Sequence, residues 1–303
     1  MMHDHRAGLH TTTNKPDAHE FRFYLRSHEL AANSKMAAAL IAALGLDQPE
    51  VQSSSIAVLE KGNADSSFVL SCFMWECLVG RSSRECRANG LLVPRPSETS
   101  TAVLLLTCHH SAAHYRNQSL KLGLNLTSLS QKGLFEELDL MKLINESLST
   151  SRETSEEDIS KNGTFFVKSL FLSIRSKLLK MKENFKSVCL IIGNVNDLLT
   201  SGVSTAQLFI FLNYLQGLLS GISNLSLVIS THVTDDDDSE RLLGAFLKNA
   251  SDLTVTVSAL QTGLSKDVSG CLSVGGLSVS SGTYHYRLLD RQVKMFSPGA
   301  SSV

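Results

Sequence analysis

At 303 residues the chain is long enough for one large domain or two modest ones, with a real hydrophobic core. Hydrophobic residues make up 43% and charged residues 19%, and the formal net charge is -1, so no global electrostatic signature points to nucleic acid or an anionic membrane. No apolar run reaches the roughly 18 to 20 residues of a membrane span; QLFIFLNYLQGLLSGI at 207–222 comes nearest and is interrupted by Asn213 and Gln216.

Residues 1–35 are polar, His-rich and without clear periodicity, and read as a flexible extension ahead of a domain over 36–303. They hold no apolar signal-peptide core, and Asp4, Asp17 and Glu20 argue against a transit peptide. The expectation is an intracellular chain. In that setting the six N-x-S/T sequons, at Asn117, Asn125, Asn145, Asn162, Asn224 and Asn249, read as coincidence. The six cysteines, Cys72, Cys77, Cys86, Cys108, Cys189 and Cys271, are irregularly spaced with no CxxC pair, and read as reduced, mostly buried thiols.

The first apolar helical segment is MAAALIAALGL, from Met36 to near Gly45. Strand signals follow at 54–60 (SSIAVLE), 101–107 (TAVLLLT), 187–192 (SVCLII) and 225–231 (LSLVIST), separated by helical segments at 65–79, 111–122, 160–183 and 205–221. Short, near-continuous Val/Ile/Leu runs suit strands covered on both faces. Strand alternating with helix predicts an α/β doubly wound, mainly parallel sheet. Beyond it, DLTVTVSAL (252–260) alternates strictly, with Leu253, Val255 and Val257 on one face. CLSVGG, TYHYRLL and QVKMF follow, with LLDRQV as a tight turn carrying Asp290 and Arg291 at its tip. These four runs predict antiparallel hairpins extending one edge of the sheet. Loops are expected at 80–99, an Arg-rich excursion, at 147–163, a polar linker, and at 231–240, an acidic loop.

LEKGNADSSF, after the first strand, sits where a P-loop would. A working P-loop needs G-x-x-x-x-G-K-[ST]: glycines that let backbone N–H groups close on phosphate, a Lys to neutralise it and a hydroxyl for Mg²⁺. Here Glu60 takes the place of the opening glycine, and Asp65, Ser66 and Ser67 take the place of the GK[ST] triplet. Ser67 could hold a metal, but Ser66 cannot replace a lysine charge, and Asp65 brings a carboxylate toward phosphate. Gly62 alone does not restore the cradle, and Lys61 lies on the wrong side of the turn. The expected role is a strand-to-helix loop in which Asp65 or Ser66 caps the helix. The partner motif fails as well: an Asp should end a second strand to position Mg²⁺, and SVCLII ends in Gly193 and Asn194, with Asp197 displaced into the next turn.

In order and spacing these segments resemble the Elongator complex protein 6 family, the sixth subunit of the eukaryotic Elongator complex. The resemblance runs over roughly 36–303, through SSIAVLEKGNADSSFVLSCF, AAHYRNQSLKLGLNLT, SVCLIIGNVNDLLTSG, TDDDDSE, LQTGLSKDVSGCLSV and YHYRLLDRQVKMFSPG. One departure is Gly193, where a family member carries Asp. The resemblance implies a RecA-like ATPase fold that has lost its catalytic motifs. It implies a subunit that is not an enzyme, with no catalytic residue, no nucleotide or metal site and no cofactor. It further implies a hetero-hexameric ring with two copies each of the fourth and fifth Elongator subunits. That ring docks on the catalytic subassembly, binds tRNA and is required for modification of the wobble uridine (U34). The cytoplasm is the expected location, with the nucleus as a second one.

CHHSAAH (108–114) offers a Cys and three His, and His110 and His114 are spaced to share a helix face. With no fourth ligand and no carboxylate in view, it reads as polar residues at a helix start. The helix FFVKSLFLSIRSKLLKMKENFK (165–186) is basic and amphipathic, which reads first as a solvated outer face. Its Lys177, Lys180 and Lys182, with Lys266 in the Gly-flanked hairpin 262–270, are the candidate interface or tRNA contacts. The competing readings are an active or degenerate P-loop ATPase of the recombinase type, opposed by the missing lysine, and a stand-alone adaptor on this fold.

Overall fold

The computed structural model describes residues 40–44, 54–80, 101–150, 158–260, 263, 265–276, 281–290 and 292–299. The expected extension over 1–35, and the 80–99 excursion beyond Gly80, lie outside the described residues.

One nine-stranded sheet organises the chain. Its strands are β1 (Ser55–Lys61), β2 (Thr101–Thr107), β3 (Phe135–Asp139), β4 (Ser187–Ile192), β5 (Leu225–Val233), β6 (Leu253–Ser258), β7 (Gly270–Gly276), β8 (Gly282–Leu289) and β9 (Gln292–Phe296). The order across the sheet is β3-β2-β4-β5-β1-β6-β7-β8-β9. All pairings from β3 to β6 are parallel, and those from β6 to β9 antiparallel. Within the C-terminal part, β6 departs from expectation: it pairs parallel with β1 and antiparallel only with β7. The helix between β5 and β6 carries the chain back to the starting end of the sheet, so β6 must run with β1. The β8–β9 register pairs Leu289 with Gln292 across the predicted turn, with Asp290 following β8 and Arg291 outside the described residues.

Besides a helical turn over 40–43, the helices among the described residues are α1 (Ser67–Trp75, continued by a π-type turn over Glu76–Gly80), α2 (Ala112–Lys121), α3 (Leu126–Gln131), α4 (Leu140–Thr150), α5 (Asp158–Asn184), α6 (Asn196–Thr200), α7 (Thr205–Gly221) and α8 (Asp238–Ala250). They divide between the two faces. Ile56, Val58, Val103, Leu105, Cys189, Ile191 and Val228 pack against α1, α2 and the segment around α3. Ala57, Leu59, Leu104, Leu106, Leu190, Ile192, Leu227 and Ile229 pack against α5 to α8. Alternate residues of each strand thus meet different helix layers, which is why no polar residue interrupts these runs. Each fully buried Leu or Ile contributes about 1.5–3 kcal/mol. The 207–222 stretch is α7, with Leu208, Phe211, Leu212, Leu215 and Leu218 buried. Among the described residues no helix is long and apolar enough to cross a membrane.

Both polar loops are shorter than expected. Helices α4 and α5 extend into 147–163 from either end. The acidic run 231–240 contains the end of β5 and the start of α8. There Asp237 is the cap: its Oδ1 accepts from the N–H of Ser239 (2.7 Å) and of Glu240 (3.0 Å). Carboxylates near a helix N-terminus satisfy its free N–H groups and suit its dipole.

Candidate functional site

The C-terminal ends of β1, β2, β4 and β5 open on a pocket of about 410 Å³, where doubly wound sheets hold their ligands. Among the described residues its lining includes Glu60, Asp65, Asp197, Glu240 and three histidines, and no Lys or Arg. Lys61 is exposed at the end of β1 and is not part of that lining.

The loop after β1 has its anion cradle filled from within. Ser66, fully buried, donates to Glu60 Oε1 through its backbone N–H (2.9 Å) and its hydroxyl (2.6 Å). Asn194 Nδ2 approaches Glu60 Oε2 at 3.4 Å. Asp65 Oδ1 accepts the N–H of Ser67 at 2.7 Å, so Asp65, not Ser66, caps α1. Burial raises the Asp65 pKa, but the Ser67 hydrogen bonds and the nearby His110 outweigh it and leave the carboxyl below its ordinary value. Two carboxylates therefore hold the N–H groups that a P-loop offers to phosphate. Gly62 has φ +64° and open space around its Cβ position, so it serves the turn and not a close ligand approach. The Ser67 hydroxyl is 3.0 Å from Gln118 Nε2 and 3.4 Å from His114 Nε2.

At the end of β4, Gly193 has a steric reason to lack a side chain. A Cβ there would lie 2.8 Å from the hydroxyl of buried Tyr115 on α2. Asn194 Oδ1 instead accepts from the N–H of Asn196 (3.2 Å) and of His232 (3.3 Å), tying the β4 end to β5. Asp197 sits in the first turn of α6 and approaches His109 Nδ1 at 3.4 Å.

The histidine run turns toward the same loop. Ser111 caps α2, so His110 precedes the helix and His114 lies in its first turn. Their rings nonetheless stack at 4.0 Å. Asp65 supplies the carboxylate that the local sequence lacks, with His110 Nε2 3.5 Å from its Oδ1. Desolvation, then the charge of His110, lowers the His114 pKa.

The basic residues singled out in the sequence do not converge on this pocket. Lys177 is committed to Glu136 of β3 at 2.7 Å. Lys182 donates to the Lys186 carbonyl, and Lys180 is exposed on α5. Lys266 is exposed, beside Asp267, which pairs with Arg287 at 3.2 Å. Two further charges the sequence reading passed over, Arg116 and Glu137, pair between α2 and β3.

Comparison with known proteins agrees with this geometry. The fold matches that of a KaiC-like protein from Pyrococcus horikoshii OT3 at a TM-score of 0.53, with 8% identity, covering 81% of this chain and 90% of that one. The domain is RecA-like, without the lysine and glycines of a P-loop. Elongator complex protein 6 of Drosophila melanogaster is 24% identical over 279 residues, covering 88% of this chain and 99% of the relative. That of Mus musculus is 26% identical over 258 residues (70% and 97%), and that of Rattus norvegicus 27% over 206 residues (63% and 77%). The family described as Elongation complex protein 6 matches residues 97–290, most of the sheet and its helices, and the chain belongs to that family.

Proposed function

We propose that the chain is a non-catalytic subunit of the Elongator complex. It joins the fourth and fifth Elongator subunits in a hetero-hexameric ring of RecA-like domains, and supplies shape and contact surface instead of nucleotide chemistry. The ring docks on the catalytic subassembly and binds tRNA, in support of wobble-uridine (U34) modification in the cytoplasm and the nucleus. The observation that carries this reading is the cradle after β1. The Ser66 and Ser67 N–H groups are held by Glu60 and Asp65, in a pocket lined by carboxylates and, among the described residues, by no Lys or Arg. A nucleoside triphosphate would meet like charge there and would have to displace satisfied hydrogen bonds. Loss of the nucleotide site leaves the outer surfaces intact, and head-to-tail contacts that close make a ring.

Native mass spectrometry of the chain co-expressed with the fourth and fifth subunits of its own species tests this. A closed complex with two copies of each supports it. Assembly of the other two subunits without this chain overturns it, as does measurable ATP binding by the isolated chain. For tRNA, charge reversal at Lys180 and Lys182 should weaken binding by the assembled ring. Unchanged affinity would remove α5 from the tRNA surface.

A further inference from the structure

The three side chains Asp65, His110 and His114 come from separate places: the turn after β1, the turn after β2 and the first turn of α2. One ligand atom from each lies within 4.8 Å of the other two. We propose that they form a binding site for a divalent transition-metal ion of the zinc class, standing where this fold would otherwise hold phosphate.

One pair of the three already has the spacing of ligands on a common ion. Zinc binds imidazole nitrogen and carboxylate oxygen at about 2.0–2.2 Å, which sets tetrahedral ligand atoms roughly 3.2–3.6 Å apart. His110 Nε2 and Asp65 Oδ1, at 3.5 Å, already stand at that separation. The His110 and His114 rings, stacked at 4.0 Å, must turn for both to direct a nitrogen at one ion, and the Ser67 hydroxyl, 3.4 Å from His114 Nε2, is a further oxygen at hand. Asp65 is oriented by the Ser67 N–H, and the His114 backbone is held by the Ser111 cap at the start of α2. Asp65 and His110 also line the pocket, giving an ion a way in.

The surroundings choose the sign and the softness of the ligand. Glu60, Asp197 and Glu240 line the same pocket, with no Lys or Arg among the described residues there, which favours a cation over an anion. Two imidazoles with one carboxylate suit zinc and its neighbours, whereas calcium and magnesium prefer oxygen alone. A bound ion would tie the degenerate loop to the turn after β2 and the start of α2.

The test is zinc titration of the full-length chain, read by calorimetry and by melting temperature. His3, His5, His10, His19 and His28 in the N-terminal segment are further imidazole ligands, so the site is defined by variants. The wild-type chain should bind one equivalent that raises the melting temperature. Asp65→Asn and His114→Gln should each weaken that equivalent about tenfold or more and abolish the rise. His110→Gln, outside the helix, should do the same while leaving the circular dichroism spectrum unchanged, and it decides the matter should either other variant misfold. The proposal is overturned if zinc does not raise the wild-type melting temperature, or if His110→Gln responds to zinc as the wild type does.

Discussion

Glu60→Ala is the substitution that most directly tests the idea of a self-filled cradle. The Glu60 side chain is 9% exposed, and its Oε1 accepts two hydrogen bonds from Ser66, at 2.9 and 2.6 Å. Hydrogen bonds to a charged group contribute about 1.5–3 kcal/mol, and a buried donor left without a partner costs about 1–3 kcal/mol. Alanine removes both bonds and strands the N–H of a fully buried residue, so the expected loss is about 3 kcal/mol. At roughly 2–4 °C per kcal/mol for a domain of this size, the melting temperature should fall by about 6–12 °C. Glu60→Gln keeps an acceptor for Ser66 but turns an amide N–H₂ toward Asn194 Nδ2, whose own oxygen is already engaged by Asn196 and His232. That variant should lose about 1 kcal/mol. Urea unfolding monitored by circular dichroism measures both. If Glu60→Ala lost less than about 0.5 kcal/mol, in the range of an ordinary surface substitution, the carboxylate would not be holding the loop and the argument would fail. Neither variant should acquire ATP binding in equilibrium dialysis, because Asp65 remains and no lysine is gained.

Gly193→Ala should cost about 1–3 kcal/mol in urea unfolding, since the new methyl meets the Tyr115 hydroxyl at 2.8 Å. Tyr115→Phe in the same chain should recover part of it, with a coupling of at least about 0.5 kcal/mol. Burial pushes the Cys72 thiol up to about 12, so it should resist alkylation at pH 8 in the native chain and react once urea unfolds it. The unfolded thiol loses its proton near its ordinary value of about 8.5. The stability tied to Cys72 is therefore complete below that pH and declines as pH rises toward 12, which a Cys72→Ala comparison across pH 8 to 11 would show. Lys177→Ala breaks a pair with Glu136 whose side chains are 37% and 30% exposed, so solvent screening should hold the loss below about 1 kcal/mol.

Much of the fold was legible because its strands are covered twice. Ile56 to Leu59, Ala102 to Leu106 and Val188 to Ile192 read as unbroken apolar runs because successive residues face two different helix layers. The strict alternation at Leu253, Val255 and Val257 likewise marks the inward face of β6. Strand β3 did not announce itself. FEELD is an edge strand whose Glu136 and Glu137 are matched by Lys177 and Arg116 from helices elsewhere in the chain. Its charges look like loop until those partners are in place. The direction of β6 was equally hidden, since direction follows from the path of α8 and not from the residues of the strand.

The same division runs through the site. That LEKGNADSSF has Ser66 where a P-loop has its lysine, and Glu60 and Asp65 where it has its glycines, is a fact of sequence. That Glu60 folds back onto Ser66, that Tyr115 occupies the space a side chain at 193 would need, and that Asp65 meets His110 and His114 were decided only by tertiary structure. Sequence fixes which groups a chain carries and the period at which it buries them. Which groups stand within a few ångströms of one another depends on the crossovers that bring separate strand ends to one edge of a sheet.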